Sequence, residues 1–258
     1  SIIASPINAA EAHKVLLFHS YDLSFPWTRL INDAMLERFE RQPDRYEVRM
    51  EFMDTKRFYY EDIDKALYEF YKMKYAADQP DIILISDNNA LTFLRNYGAE
   101  LFPNVPVVFC GVNDYNSAML EGFTSITGVV ENVDYFASFD LIRRLQPNTK
   151  RIAVVSDFTV TGRLHHKNFY EAAAAFSGQF EFVDLSPYDH EEIGAVVRSL
   201  PEDTVVFFLA YFRDANDHVL NAKEGISLIT SQSSVPVYTL WDWMMWYPAP
   251  RGSLPGSR

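Results

Sequence analysis

Residues 80–115 read PDIILISDNNALTFLRNYGAELFPNVPVVFCGVNDY, and this stretch decides the fold. Two short apolar runs, 82–85 and 105–109, are separated by a helical pattern over 90–102. This order predicts a βαβ unit of a parallel sheet with both strands buried. In open parallel sheets, ligands bind beyond the carboxyl ends of the strands. The polar residues that follow each run are therefore the first candidates for a functional site.

The same alternation of apolar runs and helical stripes continues on both sides of this stretch. Further strands are predicted at 14–20, 46–53, 125–131, 151–156, 180–185, 204–209 and 236–240. Strand starts recur about every thirty residues, which is the length of a βα unit. The pattern predicts an α/β protein with two doubly wound parallel-sheet lobes and a cleft between them.

Five segments are expected along the chain. They are an N-terminal tail over 1–13, lobe 1 over 14–123, a crossover over 124–147, lobe 2 over 148–246 and a flexible tail over 247–258. The last segment, PAPRGSLPGSR after Tyr247, is rich in Pro, Gly and Ser, which is typical of linkers and chain ends.

Composition excludes several classes of partner and site. The net charge is −12, with 35 acidic against 23 basic residues, so neither a nucleic acid nor an anionic membrane surface is an expected ligand. The only cysteine, Cys110, excludes an internal disulfide and a CxxC motif, and its apolar run predicts a small buried residue. No apolar stretch has the length of a membrane span.

The motifs of common catalytic and nucleotide-binding sites are also missing. The sequence contains no GxGxxG, GxxxxGK[ST] or GxSxG pattern. The one histidine pair, His165 and His166, occupies adjacent helix positions that point to different faces, which disfavours a shared metal. We therefore expect no catalysis, no cofactor and no metal site.

What remains is a set of polar and aromatic residues that follow predicted strands or open the next helix. Taken singly, such residues commonly cap helices or form turns. As a set they come from both lobes, and they offer aromatic faces and directed hydrogen bonds. The predicted ligand-binding residues are Ser20, Tyr21, Trp27, Asp87, Asn88, Asn113, Glu131, Asp157, Tyr211 and Trp241.

Three segments carry a resemblance to a known family. They are HSYDLSFPW at 19–27, MDTKR at 53–57 and ISDNNALTFLRNYGAELFPNVPVVFCGVN at 85–113. They resemble the extracytoplasmic sensor domains of bacterial histidine kinases and related receptors, which are similar to ABC transporter substrate-binding proteins of the type I periplasmic-binding fold. The resemblance covers about residues 14–130 and, in lobe 2, VPVYTLWD at 235–242. In the family the chain usually continues through further βα elements after the WD segment. Here it runs into Pro248, Pro250 and Pro255, so the chain is either truncated or different in this member.

The resemblance implies a periplasmic or extracytoplasmic sensor domain that binds a small metabolite, such as an amino acid or a carboxylate, between its lobes. It also implies a tether to the membrane through flanking segments, and a homodimer is possible. A free solute-binding protein of an ABC transporter is the alternative with the same fold. Two further alternatives come from other functional classes. They are an enzyme on a Rossmann-like scaffold and a domain that only docks a partner.

Overall fold

The structure is a computed structural model that describes residues 12–58, 63–241 and 244–245. The chain divides into two compact units, Ser1–Asn132 and Val133–Arg258, and each is described by itself. The predicted tail over 247–258 and most of the tail over 1–13 lie outside the described residues.

Unit 1 is a five-stranded parallel sheet with helices after its strands. Along the chain it contains β1 His13–His19, α1 Pro26–Glu40, β2 Tyr46–Phe52, α2 Ile63–Lys74, β3 Ile82–Ser86, α3 Asp87–Leu101, β4 Val107–Asn113, a 3-10 turn Ser117–Leu120 and β5 Ile126–Glu131. The strand order is β2-β1-β3-β4-β5. The central strands are nearly inaccessible, with Leu16 and Phe18 of β1 and Ile85 of β3 at 0% exposure. Because the central strands are buried on both faces of the sheet, their sequences are continuous apolar runs.

Unit 2 is a four-stranded parallel sheet of the same kind. It contains α4 Tyr135–Leu145, β6 Arg151–Val155, α5 Val160–Ala173, a 3-10 turn Ala174–Phe176, β7 Glu181–Asp184, α6 Ile193–Arg198, β8 Thr204–Phe208, α7 Ala222–Gln232 and β9 Val237–Thr239. The order is β7-β6-β8-β9, and every pairing is parallel. Its core is a cluster of aromatic rings around Phe139, Phe169 and Phe207. The predicted α/β class with two parallel sheets is confirmed.

The stretch 124–147, predicted as a crossover, divides between the two units. Its strand, β5, pairs with β4 and completes the first sheet. Its helix, α4, buries Phe139 and Ile142 in the core of unit 2. The chain leaves unit 1 directly after β5, since the boundary lies between Asn132 and Val133.

Helix α3 begins three residues earlier than the apolar pattern predicts. The pattern starts at Ala90, but the helix starts at Asp87, so Asp87, Asn88 and Asn89 form its first turn and not a loop. Asp87 has φ of +68°, in the left-handed region that few residues other than Gly, Asn and Asp adopt. The side chains of this turn therefore leave the sheet edge in directions that periodicity does not predict.

Candidate functional site

The carboxyl edge of the first sheet is organised around Asp87. This residue is 3% exposed, and its Oδ1 accepts a hydrogen bond of 3.1 Å from Nε1 of Trp27. The other carboxylate oxygen, Oδ2, is buried and has no hydrogen-bond partner among the described residues. A buried polar atom without a partner is costly and needs an explanation, which at a functional site is a missing ligand or water.

Gly111 lies next to the Asp87 side chain. It lies near the end of β4 with φ of +65°, and a Cβ at this position would lie 3.4 Å from Oδ1 of Asp87 and 3.5 Å from the Trp27 ring. Both the positive φ and the tight space favour glycine here. The backbone of β4 therefore approaches the carboxylate more closely than a residue with a side chain would comfortably allow.

The electrostatic environment makes Asp87 an unusual acid. Its pKa is raised from 3.8 to about 7, mainly by burial. The charge of Lys56, the nearby Ser86 hydroxyl and the hydrogen bond from Trp27 lower this pKa, whereas the charge of Glu131 raises it. Groups whose pKa is shifted by burial together with specific charged neighbours are concentrated at functional sites.

Lys56 is a member of this site that the predicted set does not contain. The residue is 7% exposed, and its Nζ lies 4.4 Å from the ring centroid of Tyr21 and 5.4 Å from that of Phe25. These are cation–π distances for a buried ammonium group. Lys56 stands in the MDTKR segment after β2, so its position after a strand was an available signal. Lys56 therefore places a positive charge, in contact with the ring of Tyr21, at the same edge of the sheet as Asp87.

Asn88 and Asn113 join the turn after β3 to the end of β4. The Asn88 amide donates to the backbone carbonyl of Asn113 at 2.9 Å and accepts from its backbone N–H at 2.9 Å. The Asn113 amide donates to the carbonyl of Gly111 at 3.2 Å, and its own Oδ1 is buried with no partner among the described residues. Asn88 therefore positions the strand end, and Asn113 keeps one acceptor available.

The hydroxyl of Ser20 is used within the unit. It donates to the carbonyl of Ser86 at 2.7 Å and accepts from the backbone N–H of Ala90 at 2.8 Å. Ser20 therefore ties β1 to the first turn of α3 and is 0% exposed. The contact of Ser20 with a ligand stays a prediction. Such a contact would require the hydroxyl to break one of these two hydrogen bonds.

Glu131 ends β5 and lies opposite Asn113 in the strand register. It is half-buried, and its charge acts on both Asp87 and Cys110. Seven of the predicted residues therefore lie at the carboxyl edge of one sheet: Ser20, Tyr21, Trp27, Asp87, Asn88, Asn113 and Glu131.

In unit 2, two predicted residues bind other parts of their own unit. The Oδ2 of Asp157 accepts from the Phe212 backbone N–H at 2.6 Å, and its Oδ1 accepts from the backbone and hydroxyl of Thr159. The Tyr211 hydroxyl donates to the carbonyl of Tyr188 at 2.9 Å, and the residue is 0% exposed. Asp157 connects the loops after the neighbouring strands β6 and β8, whereas Tyr211 connects the loops after β8 and β7, which lie on either side of β6.

Trp241, the third predicted residue of unit 2, is half-buried after β9. Its ring packs edge-to-face against His165, with the ring centroids 4.9 Å apart. His165 in turn shares a hydrogen bond of 2.7 Å with the hydroxyl of Tyr135. The ligand-binding roles of Asp157, Tyr211 and Trp241 stay predictions.

Two searches of the described residues bear on the class of site. Within 12–58, 63–241 and 244–245, no group of three or more His, Cys, Asp or Glu side chains is placed to hold a metal ion. No helix in that part of the chain has both the length and the apolar character needed to cross a bilayer.

Two parallel sheets with helices after their strands define a type I periplasmic-binding-protein-like fold, and solved structures match it. A conserved domain protein from Vibrio cholerae matches with a TM-score of 0.64 and 14% identity, over 92% of this chain and 77% of that chain. An ABC domain in complex with L-Trp from Streptococcus pneumoniae matches with a TM-score of 0.63 and 15% identity, over the same shares. An arabinose-binding protein from Geobacillus stearothermophilus matches with a TM-score of 0.52 and 14% identity, over 91% and 77%.

At these identities the likeness establishes the fold alone. No protein-family model matches the chain, and no curated protein matches it in sequence.

Proposed function

We propose that this chain is an extracytoplasmic small-molecule-binding domain, and that unit 1 contacts the ligand at the carboxyl edge of its sheet. The observation that carries the proposal is Asp87, a buried carboxylate with a pKa of about 7 and one oxygen without a partner among the described residues. Such a group destabilises the ligand-free fold, and residues of this kind are retained where function needs them. The structural neighbours support the proposal, since they include an ABC domain in complex with L-Trp, a myo-inositol-binding protein and an arabinose-binding protein.

Within this class, two biological roles remain as proposals. The sequence resemblance supports a sensor domain of a membrane receptor such as a histidine kinase, tethered through flanking segments. The structural neighbours support a solute-binding protein of an ABC transporter equally well. The gene on either side of this segment distinguishes the two roles. A membrane span followed by a kinase region would support the receptor role. A separate gene for a secreted protein, next to permease genes, would support the solute-binding role.

The binding proposal is tested by ligand-induced thermal stabilisation. A ligand that binds only the folded state raises the apparent stability by mass action. A metabolite library of amino acids, amines, carboxylates and sugars should contain compounds that raise the unfolding temperature of the unaltered protein. Trp27→Phe and Asp87→Ala should reduce that rise, because both side chains lie at the proposed contact.

Asp44→Ala provides the matched control for this experiment. Asp44 is an exposed acidic residue of the same unit, before β2 and away from the carboxyl edge. Its replacement should leave the ligand-induced rise unchanged. Unchanged stabilisation in both Trp27→Phe and Asp87→Ala would move the site elsewhere, and a library without any binder would count against the function itself.

A further inference from the structure

We propose that the ligand of unit 1 carries an ammonium group, and that Asp87 and Asn113 bind this group together. The inference rests on the proposed function and specifies its ligand class.

The first step is that the site presents two hydrogen-bond acceptors without donors. Oδ2 of Asp87 and Oδ1 of Asn113 are both buried and have no partner among the described residues. The identity of the Asn113 oxygen is fixed by its other contact, because only the amide nitrogen donates to the carbonyl of Gly111. A single group that satisfies both acceptors must therefore donate more than one hydrogen bond.

The second step is that the side chains of Asp87 and Asn113 both lie beside Gly111. Oδ1 of Asp87 lies 3.4 Å from where a Cβ of Gly111 would be, and the Asn113 amide donates to the carbonyl of Gly111 at 3.2 Å. Gly111 and Asn113 are two positions apart at the end of β4, after the register shift between Phe109 and Val112, and both are buried. One small group with several N–H donors fits this arrangement, and an ammonium group has three.

The third step is the balance of charge. The described groups that act on Asp87 are Lys56 after β2, Glu131 at the end of β5 and Cys110 of β4, with His19 of β1 connected through Ser86. The charge of Lys56 favours the ionised form of Asp87, and the charge of Glu131 opposes it. A cationic ligand offsets the repulsion between Asp87 and Glu131, whereas an anionic ligand adds to it. Charge therefore favours an ammonium group over a carboxylate at this position.

The titration of Asp87 gives the inference a distinctive signature. Burial raises the pKa of Asp87 to about 7, so near neutral pH a large part of the ligand-free protein holds a proton there. An ammonium ligand prefers the ionised carboxylate and must release that proton on binding. Burial lowers the pKa of His19 to about 4 and raises that of Cys110 to about 12, so neither of these two groups changes charge between about pH 6 and 8.

The test is isothermal titration calorimetry of the whole chain with matched pairs of probes. Tryptamine, tyramine and the standard amino acids carry the ammonium group. Indole-3-propionate and 3-(4-hydroxyphenyl)propionate retain a ring and a carboxylate but lack the ammonium group, and arabinose and myo-inositol are uncharged polyols. We expect binding to be confined to ammonium probes, with an affinity that falls about tenfold per pH unit below pH 7 and proton release that is visible as a dependence on buffer.

Asp87→Asn is the decisive variant, with Asp44→Asn as its control. Asp87→Asn should lose affinity by tenfold or more and also lose the pH dependence, while Asp44→Asn should retain both. Binding of a deaminated probe or a polyol that survives Asp87→Asn would overturn the ammonium inference and leave the proposed function standing. If no member of this panel or of the wider metabolite library binds, the proposed function fails together with the inference.

Discussion

The indole of Trp27, in the first turn of α1, donates a hydrogen bond of 3.1 Å to Oδ1 of Asp87, in the first turn of α3. The two residues are 60 positions apart in the chain, and each follows a different strand of the first sheet. This bond satisfies one oxygen of the buried carboxylate and leaves the other for a ligand or a water. The pair is the centre of the candidate site, and it leads to the first prediction.

Replacing Asp87 by Asn should stabilise the ligand-free protein above neutral pH. The folded-state pKa of Asp87, about 7, is raised from 3.8. Between these values the folded state keeps a proton that the unfolded state has lost, so the free energy of unfolding falls as the pH rises from about 4 to about 7. Asparagine removes this titration, can still accept from Trp27 and tolerates the positive φ.

At pH 8 we expect the free energy of unfolding of Asp87→Asn to exceed that of the unaltered protein by about 4 kcal/mol, and at pH 4 by almost nothing. Urea unfolding at pH 4, 6 and 8 measures the difference. Asp44→Asn should show no such trend, and an Asp87→Asn variant that is less stable than the unaltered protein at pH 8 would refute the assignment.

His19 should have the opposite effect on the pH dependence of stability. Burial lowers its pKa from 6.5 to about 4, while Asn32 raises it slightly, and its ring is 0% exposed and stacked on Phe52. The folded state therefore holds fewer protons than the unfolded state between about pH 4 and 6.5. Its contribution to stability is fully present above pH 6.5 and is lost as the pH falls towards 4.

The variant His19→Gln should remove this acid loss. Between pH 7 and pH 5 the free energy of unfolding should fall by about 2 kcal/mol less in His19→Gln than in the unaltered protein. Any packing cost of the substitution is common to both pH values and cancels in the comparison. His13, whose side chain is 62% exposed, gives the control His13→Gln, which should change the pH profile little. An unchanged profile in His19→Gln would show that this histidine titrates normally.

Cys110 should react slowly with a thiol reagent in the native protein. The sequence predicts a buried residue, and the structure shows a half-buried one whose Sγ lies 3.6 Å from the Ile85 carbonyl. Burial, together with the charges of Asp87 and Glu131, raises the pKa of its thiol to about 12. Because the thiolate is the reactive form, labelling with a chromogenic disulfide at pH 8 should be slow until denaturant is added. Rapid labelling without denaturant would contradict this environment.

Gly225 should be intolerant of a side chain, in contrast to Gly178. A Cβ at Gly225 in α7 would lie 2.1 Å from the backbone carbonyl oxygen of Tyr211, whereas one at Gly178 has no neighbour within 4 Å. The backbone after β8 can move only by disturbing the hydrogen bonds of Tyr211 and Asp157. We expect Gly225→Ala to destabilise the protein by about 3 kcal/mol and Gly178→Ala to be nearly neutral, as measured by thermal unfolding. Equal unfolding temperatures for the two variants would show that α7 shifts without cost.

The site residues show how far a single sequence can be interpreted. Asp87, Trp27 and Asn113 were predicted because they follow strands or open helices, and that position follows from the alternation of apolar runs. Lys56 was not predicted, although it follows β2 in the same way. Ser20 was predicted on the same ground, but its hydroxyl bonds to Ala90, 70 residues further along the chain. Position after a strand predicts the edge of the sheet and does not predict the partner of each polar atom.

The sequence by itself determined the α/β class, the approximate positions of the strands and the edge where polar residues gather, because these depend on local periodicity and burial. Tertiary structure alone decided that β5 completes the first sheet, that α3 begins at Asp87, and that Oδ2 of Asp87 and Oδ1 of Asn113 lack partners among the described residues. The physical reason is that strand order and hydrogen-bond partners join residues far apart in the chain, as Trp27 and Asp87 are. Periodicity within one segment carries no information about which distant segment will pair with it.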